Sequence, residues 1–326
     1  MIKEYLKNAK WVLFLRLCHE RWLELLIDTK YIGNGARNKN SRKMETDLAI
    51  RAHALEKGMS IGCVKVGFGK HKVKALMKDL QHYIDIGGRS EFVADACSII
   101  HQYILFNQQA GADMGDMQSL YDGFCNKNKV EINAKDEAGI YIKHFSEVQK
   151  ECKSSFEVFS QSRFSVRDFG KTKIDFDKVL AALKMCERTP SACNRQSYRI
   201  YIYKDETLKN MLFELQGGCK GFYEDMQVAI LICGDQRGYN INELHQVYVD
   251  GGIYAMNLLY ALHYEELAAI PLTMGQKQGK LREIKKLMNI PEYEMPCVLI
   301  GVGSYKDLYK VAVSKRKNFM DYTVIK

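Results

Sequence analysis

Arg163, Ser165 and Arg167 alternate with Phe164 and Val166 in the run from Ser162 to Phe169. In an extended chain a period of two sends the three polar groups to one side, a cluster suited to a phosphate or to the polar edge of a ring. A solvated edge strand has the same pattern, so this run alone does not decide between them. A second group follows an amphipathic stretch: Thr189, Pro190, Ser191, Ala192, Cys193, Asn194, Arg195 and Gln196. Proline ends the helix, and the amides of Asn194 and Gln196 both donate and accept, which suits a heterocycle presenting both kinds of group; plain turn chemistry uses the same residues. Third comes a low-polarity helical run from Asp250-Gly251-Gly252 to Asn257-Leu258-Leu259, whose small residues permit close packing and which reads mostly as core. Lys315, Arg316 and Lys317 close the series beside Val311-Ala312-Val313, either as a solvated tail or as bases drawn back onto an anion.

Two glycine-rich stretches carry no nucleotide chemistry. Gly67-Phe68-Gly69-Lys70 lacks the spacing and the hydroxyl of a phosphate-binding loop, and reads as a turn between helices. Gly217-Gly218-Cys219-Lys220-Gly221 follows a helical pattern rather than a strand, so it is a helix stop and not a dinucleotide fingerprint.

The elements that must position these groups differ between the halves. Residues 1–150 read as helical, with amphipathic runs over 43–57, 70–86 and 90–107 and no strand pattern of useful length. Segment 108–133, rich in Gly, Asn, Asp and Gln, is expected to be a long loop, with 145–160 as a second linker. Beyond 155, strands are expected at 199–203, 228–233, 267–271 and 297–302, between helices at 175–188, 205–216, 243–264 and 278–288. The expectation is an α+β domain over 151–326 behind a helical domain over 1–150.

The 326 residues are 47% hydrophobic and 27% charged, which excludes a disordered or low-complexity chain. Their net charge of +9 sits at the ends: residues 1–45 hold +5 and residues 303–326 hold +4, leaving the centre neutral. That distribution argues against a broad nucleic-acid surface. Ten scattered cysteines without C-x-x-C spacing argue against a zinc or iron–sulfur site, and suit a reducing cytoplasm. The apolar stretch 11–17 is broken by Arg16 and too short to span a bilayer. It reads as a solvated amphipathic helix with Trp11, Leu15, Trp22 and Leu26 near one face, and membrane-surface docking is the minor alternative.

In their order along residues 160–326, the four chemical segments resemble the nitroreductase family of FMN-dependent oxidoreductases. The matching features are R-x-S near the domain start, P-S-x-x-N-x-Q before the first strand, a D-G-x-x-x-x-N-L helix and a closing group of bases. His53 to Gly58 and Gly67 to Gly69 resemble the helical extension of some bacterial members. The resemblance implies a central sheet flanked by helices, and a homodimer with FMN at the interface. It places Arg163, Phe164, Ser165 and Arg167 at the phosphate and ring edge, and Pro190, Ser191, Asn194 and Gln196 at the isoalloxazine. Pro271, Leu272 and Thr273 would face flavin N5, and Lys315, Arg316 and Lys317 the phosphate. It further implies NADH or NADPH as donor, a small-molecule electron acceptor and a ping-pong cycle, with the chemistry carried by flavin N5 and neither a catalytic side chain nor a metal. Reductive dehalogenation, metabolite oxidation and oxygen-dependent flavin chemistry are the alternatives within the family, and a non-catalytic scaffold is the alternative outside it. The chain departs from the pattern at Glu266-Leu267-Ala268, where many members have Gly-Leu-Gly, and at Asn318, where a proline often follows the bases.

Overall fold

Apolar side chains at helical spacing organise the first part of the chain. The computed structural model describes residues 10–31, 41–132, 138–240 and 243–326. Residues 1–9, 32–40, 133–137 and 241–242, and with them several of the N-terminal bases, lie outside the described residues. Two compact units divide the chain: residues 1–55 with 69–136, and residues 56–68 with 137–326.

In the first unit, α1 (Lys10–Tyr31) presents Trp11, Leu15 and Trp22 as exposed residues. The helices α2 (Ser41–Met59), α3 (Lys70–Asp85), α4 (Ser90–Gln109) and α5 (Gly115–Asn128) follow. Met44 and Leu48 of α2, Val73, Leu76, Met77 and Leu80 of α3, and Cys97, Ile100 and Ile104 of α4 are buried, each set at three- and four-residue spacing. The Glu45 carboxylate, also buried, accepts from the Tyr83 hydroxyl at 2.9 Å and from Arg89 at 3.0 and 2.7 Å. The turn before α3 uses Gly67 and Gly69 at φ 72° and 70°, as the helix-to-helix reading requires.

The second unit is built on an antiparallel sheet with strand order β2-β3-β5-β4, formed by β2 (Tyr198–Tyr203), β3 (Val228–Asp235), β4 (Ala268–Thr273) and β5 (Glu294–Gly303). All eight residues of β3 are buried, because both faces of the sheet are covered. Ala229, Leu231 and Cys233 enter one apolar cluster while Val228, Ile230 and Ile232 enter the other. This period-two division explains why β3 reads in sequence as a continuous apolar run. The helices α9 (Glu206–Gln216) and α11 (Gln278–Leu287) supply Leu212, Phe213, Leu281 and Ile284 to the first face. On the second face, α8 (Phe176–Met185) and α10 (Gln246–Tyr264) supply Val179, Ala182, Leu258 and Leu262. Pro271 lies in β4, an edge strand, where a missing N–H costs no ladder bond on the outer side.

Several expectations about the linkers fail. Segment 108–133 contains α5, held by the burial of Met117 and Tyr121 one turn apart. Segment 145–160 contains α6 (Phe145–Glu151) and the start of α7 (Phe156–Ser162). A strand also occurs where none was expected: β1 (Ile140–His144) pairs antiparallel with β6 (Leu308–Ala312), Ile140 opposite Ala312. Five-residue strands give a weak local signal and are stabilised by a partner far away in sequence. This pairing places the unit boundary ahead of residue 150, and residues 56–68 also belong to the sheet-containing unit. Among the described residues no helix is long and apolar enough to cross a membrane, and no cluster of His, Cys, Asp and Glu is arranged to hold a metal.

Candidate functional site

Where α7 ends, Arg163 turns extended and the chain runs beside β4, with the Val166 N–H donating to the Ala269 carbonyl at 3.1 Å. Val166 and Phe169 drop into the core, and Gly170 closes the segment by bridging to Ser304. Phe164 also turns inward, its ring edge-on to Tyr141 at 6.1 Å, so its side chain is committed to packing. Arg163 and Arg167 are held with polar capacity to spare. Arg163 Nη1 and Arg167 Nε are buried and have no hydrogen-bond partner, and Arg167 Nη1 makes a 3.4 Å contact with the Ser165 carbonyl. Burial lowers both guanidinium pKa values, that of Arg167 to about 10. A buried cationic donor without a partner is costly, and an anionic or carbonyl-bearing ligand would satisfy it; the donor set therefore fits a flavin nucleotide. Lys315, Arg316 and Lys317 are exposed just beyond β6, and the charge of Arg316 acts on Arg163.

Behind Arg163 stands a buried polar pair that no local pattern reveals. Ser162 Oγ donates to the Phe159 carbonyl at 2.9 Å and sits 2.7 Å from His263 Nε2. With the hydroxyl proton spent on the carbonyl, Nε2 is the side of the ring that donates, and the other nitrogen is unprotonated. Burial, followed by the charge of Arg163, pushes His263 down to about 4, so the ring is neutral at physiological pH.

The loop carrying Asn194 and Gln196 is fixed from α10. Asp250, 1% exposed, accepts from the Ala192 N–H at 3.2 Å, the Tyr239 hydroxyl at 2.8 Å and Gln246 Nε2 at 2.8 Å. Asn257 Nδ2, two turns further on, donates to Thr189 Oγ1 at 2.6 Å. Arg195 clamps the other side, reaching Glu243 through two contacts of 2.8 and 2.6 Å and the Gly238 carbonyl at 2.9 Å. Ser191 Oγ accepts from the Gln196 N–H, and Pro190 is exposed at the loop start. Cys193, Asn194 and Gln196 all have φ near +50°, a backbone that L residues adopt at a cost of about 1 kcal/mol or more each. That strain is sustained by the anchors and leaves the amides of Asn194 and Gln196 exposed, with Gln196 Nε2 3.1 Å from Asn194 Oδ1. Cys193 is exposed as well. Asp250 and Asn257 stood in the matching motif of a helix read mostly as core, and Glu243, just ahead of α10, carried no expectation at all. An acidic residue and an amide seven positions apart, on one face of an otherwise apolar helix, were the available signal.

Replacing Asp250 by alanine would leave three donors without their acceptor. We expect a loss of about 3 kcal/mol in stability, seen as a lower urea midpoint, and faster proteolysis within 190–197. An unchanged midpoint would show that the carboxylate does not anchor the loop.

Pro271, Leu272 and Thr273 form the end of β4, where the Thr273 carbonyl accepts from Gln216 Nε2 at 3.0 Å. Just ahead, Glu266 has φ 60°, the left-handed geometry that a glycine there would supply without strain. The 163–167 segment, Arg316 and β4 thus lie together, whereas the Asn194 loop is tied to the other end of α10. Asp250 and His263 are thirteen residues apart on that helix, which is roughly 20 Å.

Residues 161–217 match the family model described as the nitroreductase family. An iodotyrosine deiodinase of Thermotoga neapolitana is 25% identical over 162 residues, covering 44% of this chain and 85% of that protein. Among solved structures, a protein described as a putative NADH dehydrogenase/NAD(P)H nitroreductase from Parabacteroides distasonis aligns with a TM-score of 0.46 at 19% identity, over 53% of this chain and 98% of that one. An oxidized iodotyrosine deiodinase bound to FMN and 3-iodo-L-tyrosine aligns with a TM-score of 0.43 at 21% identity, over 52% of this chain and 99% of that one. The stretch that matches the family model lies within the second unit, whose architecture is α+β, and the first unit is helical.

Proposed function

We propose that this protein is an FMN-dependent oxidoreductase that takes hydride from NADH or NADPH and passes it to a small organic acceptor. The observation that carries this reading is the pair of buried guanidinium donors without a protein partner, Arg163 Nη1 and Arg167 Nε, on the segment that matches the family. FMN, when bound, supplies hydride acceptance and release at N5. The protein's share is placement. Arg163 and Arg316 hold the phosphate, with Lys315 and Lys317 adding to the local field. Arg167 and Ser165 meet the polar edge of the ring, together with the amides of Asn194 and Gln196, while the backbone of Pro271 to Thr273 lines the face at N5. No side chain need form a bond to substrate.

A homodimer belongs to this proposal. The two half-sites lie at opposite ends of α10, too far apart to hold one ring within a single chain. Along the same helix Tyr248, Val249 and Ile253 stay exposed although their neighbours are core. A two-fold contact through that face would bring the Asn194 loop of one copy toward the Arg163 segment of the other. A cytoplasmic location is also proposed, on the ten unpaired cysteines.

A second reading, reductive dehalogenation of an aromatic substrate, is favoured by the deiodinase relative. One anaerobic experiment addresses both. The purified protein is expected to be yellow, or to become so with FMN, and NADH or NADPH should bleach the flavin band. Reoxidation is then compared with a quinone, a nitroarene and 3-iodo-L-tyrosine as acceptors. A protein that takes up no FMN would end the enzyme reading, and reoxidation by iodotyrosine alone would favour the second.

A further inference from the structure

The apolar side chains of α1 are not spread evenly around the helix. At 3.6 residues per turn Trp11, Phe14, Leu15, Cys18, Trp22 and Leu25 fall on one face, within an arc of about 100°. That face is the one most open to water. Trp11, Phe14, Leu15 and Trp22 are 57–64% exposed, whereas Leu17 and Leu23, off the stripe, are 36% and 43% exposed, and Val12 and Leu13 are half-buried. The helix is therefore partly covered on its other sides and presents its most apolar side outward. A contiguous apolar patch left in water marks an interaction surface.

Charge is arranged around the stripe. Lys10 and Arg21 border it on the Phe14 side, His19 borders it on the Leu15 side, and Glu20 and Glu24 lie toward the back of the helix. Arg21 is 2.8 Å from Glu24, an exposed pair that contributes little to stability and leaves the guanidinium able to turn outward. Of the net charge of +9, residues 1–45 carry +5 while the centre of the chain is neutral. Bases beside the stripe and acids behind it suit a surface of negative headgroups, with cations at the phosphates and carboxylates held away from them. A second copy of the helix is a poorer match. The spacing 11, 15, 18, 22 and 25 also makes a heptad seam, but a two-stranded seam favours Ile, Val and Leu, and two tryptophans fit its packing badly. Tryptophan belongs instead at the boundary between headgroups and acyl chains, where the ring is in apolar surroundings and its N–H in polar ones.

We propose that α1 docks the protein on an anionic lipid surface, lying in the plane of the bilayer with Trp11, Phe14, Leu15, Trp22 and Leu25 below the headgroups and Lys10 and Arg21 at the phosphates. The attachment is peripheral, since α1 is not apolar enough to cross a membrane. It is independent of the flavin reading, because α1 belongs to the first unit. The helical part of the sequence then has a task of its own, which is to hold the chain at a membrane surface.

The chain's two tryptophans are Trp11 and Trp22, so intrinsic tryptophan fluorescence reports on this face alone. Full-length protein is titrated with vesicles of phosphatidylglycerol and phosphatidylcholine in equal parts, and with vesicles of phosphatidylcholine alone. Emission is expected to move to shorter wavelength and the protein to sediment with the anionic vesicles, with a partition constant at least about tenfold above that for the neutral ones. Leu15→Glu, which keeps a good helix former, should weaken partition at least about tenfold. The double variant Lys10→Glu, Arg21→Glu should lose the preference for anionic lipid, while Glu20→Gln, at the back of the helix, should bind at least as tightly as wild type. Circular dichroism equal to that of wild type shows that each variant is folded. Emission that ignores vesicles overturns the proposal, and so does equal partition into neutral and anionic vesicles. Emission that shifts with protein concentration in the absence of lipid, and no longer does so in Leu15→Glu, would assign the face to a second copy of this chain and overturn the proposal as well.

Discussion

Arg163→Ala protein is expected to purify nearly colourless and to bind added FMN at least about a hundredfold more weakly than wild type. The reasoning is electrostatic. Arg163 is half-buried, its Nη1 is buried with no hydrogen-bond partner, and it shares its end of the segment with the charge of Arg316. A phosphate placed there gains charge-assisted hydrogen bonds in a site already stripped of water, and truncating one partner of such a contact costs about 2–5 kcal/mol. Cys193→Ala is the control, since that thiol is exposed on the Asn194 loop, at the other end of α10. Flavin fluorescence quenching gives both dissociation constants, and equal values would show that the phosphate does not lie at Arg163. A second effect accompanies the first: without the guanidinium, His263 loses one of the two influences that keep it neutral, and its pKa should rise.

The other large effect is on stability against acid. His263 is 1% exposed and titrates at about 4 in the folded protein, whereas an unfolded histidine takes its proton near 6.5. Between these values the unfolded chain binds a proton that the native one refuses. The stabilisation is therefore complete above pH 6.5 and is lost as the pH falls toward 4, by about 3 kcal/mol over the window. Urea denaturation at pH 7, 5.5 and 4.5 measures it, and His263→Phe should flatten the pH dependence across that range. Parallel curves for the two proteins would mean that the ring is not the group responsible.

The sheet and its helices were legible in the sequence because their patterns are local. Apolar periodicity located β3, α8, α9 and α10 to within a few residues, and glycine marked the turn before α3. Pairing between distant segments was not legible. Ile140 to His144 forms a strand only because Leu308 to Ala312 lies beside it, and residues 56–68 belong to the sheet-containing unit only because Lys310 and Asp168 hold them there. The same distinction applies to the site. Motif order exposed Arg163, Ser165, Arg167, Asn194 and Gln196 as candidates. The groups that hold those side chains in position, Asp250, Asn257, Glu243 and His263, lie on elements whose chemistry emerges only in three dimensions. Phe164 shows the reverse: its place within the motif made it a candidate, yet its ring packs against Tyr141.

The pairing of β1 with β6 also sets an order of events during synthesis. Its two strands are separated by most of the second unit, and contacts so distant in sequence are slow to close. Lys315, Arg316 and Lys317 follow β6 directly, so Arg316 cannot reach Arg163 until residues 163–316 have all been synthesised. A ligand that needs both of these cations could therefore not be captured early in synthesis, and Arg163 and Arg167 would emerge with their charge still uncompensated. Translation at low riboflavin supply should then yield a protein whose final strand pair is the last part to become resistant to protease, and the addition of FMN should speed that step.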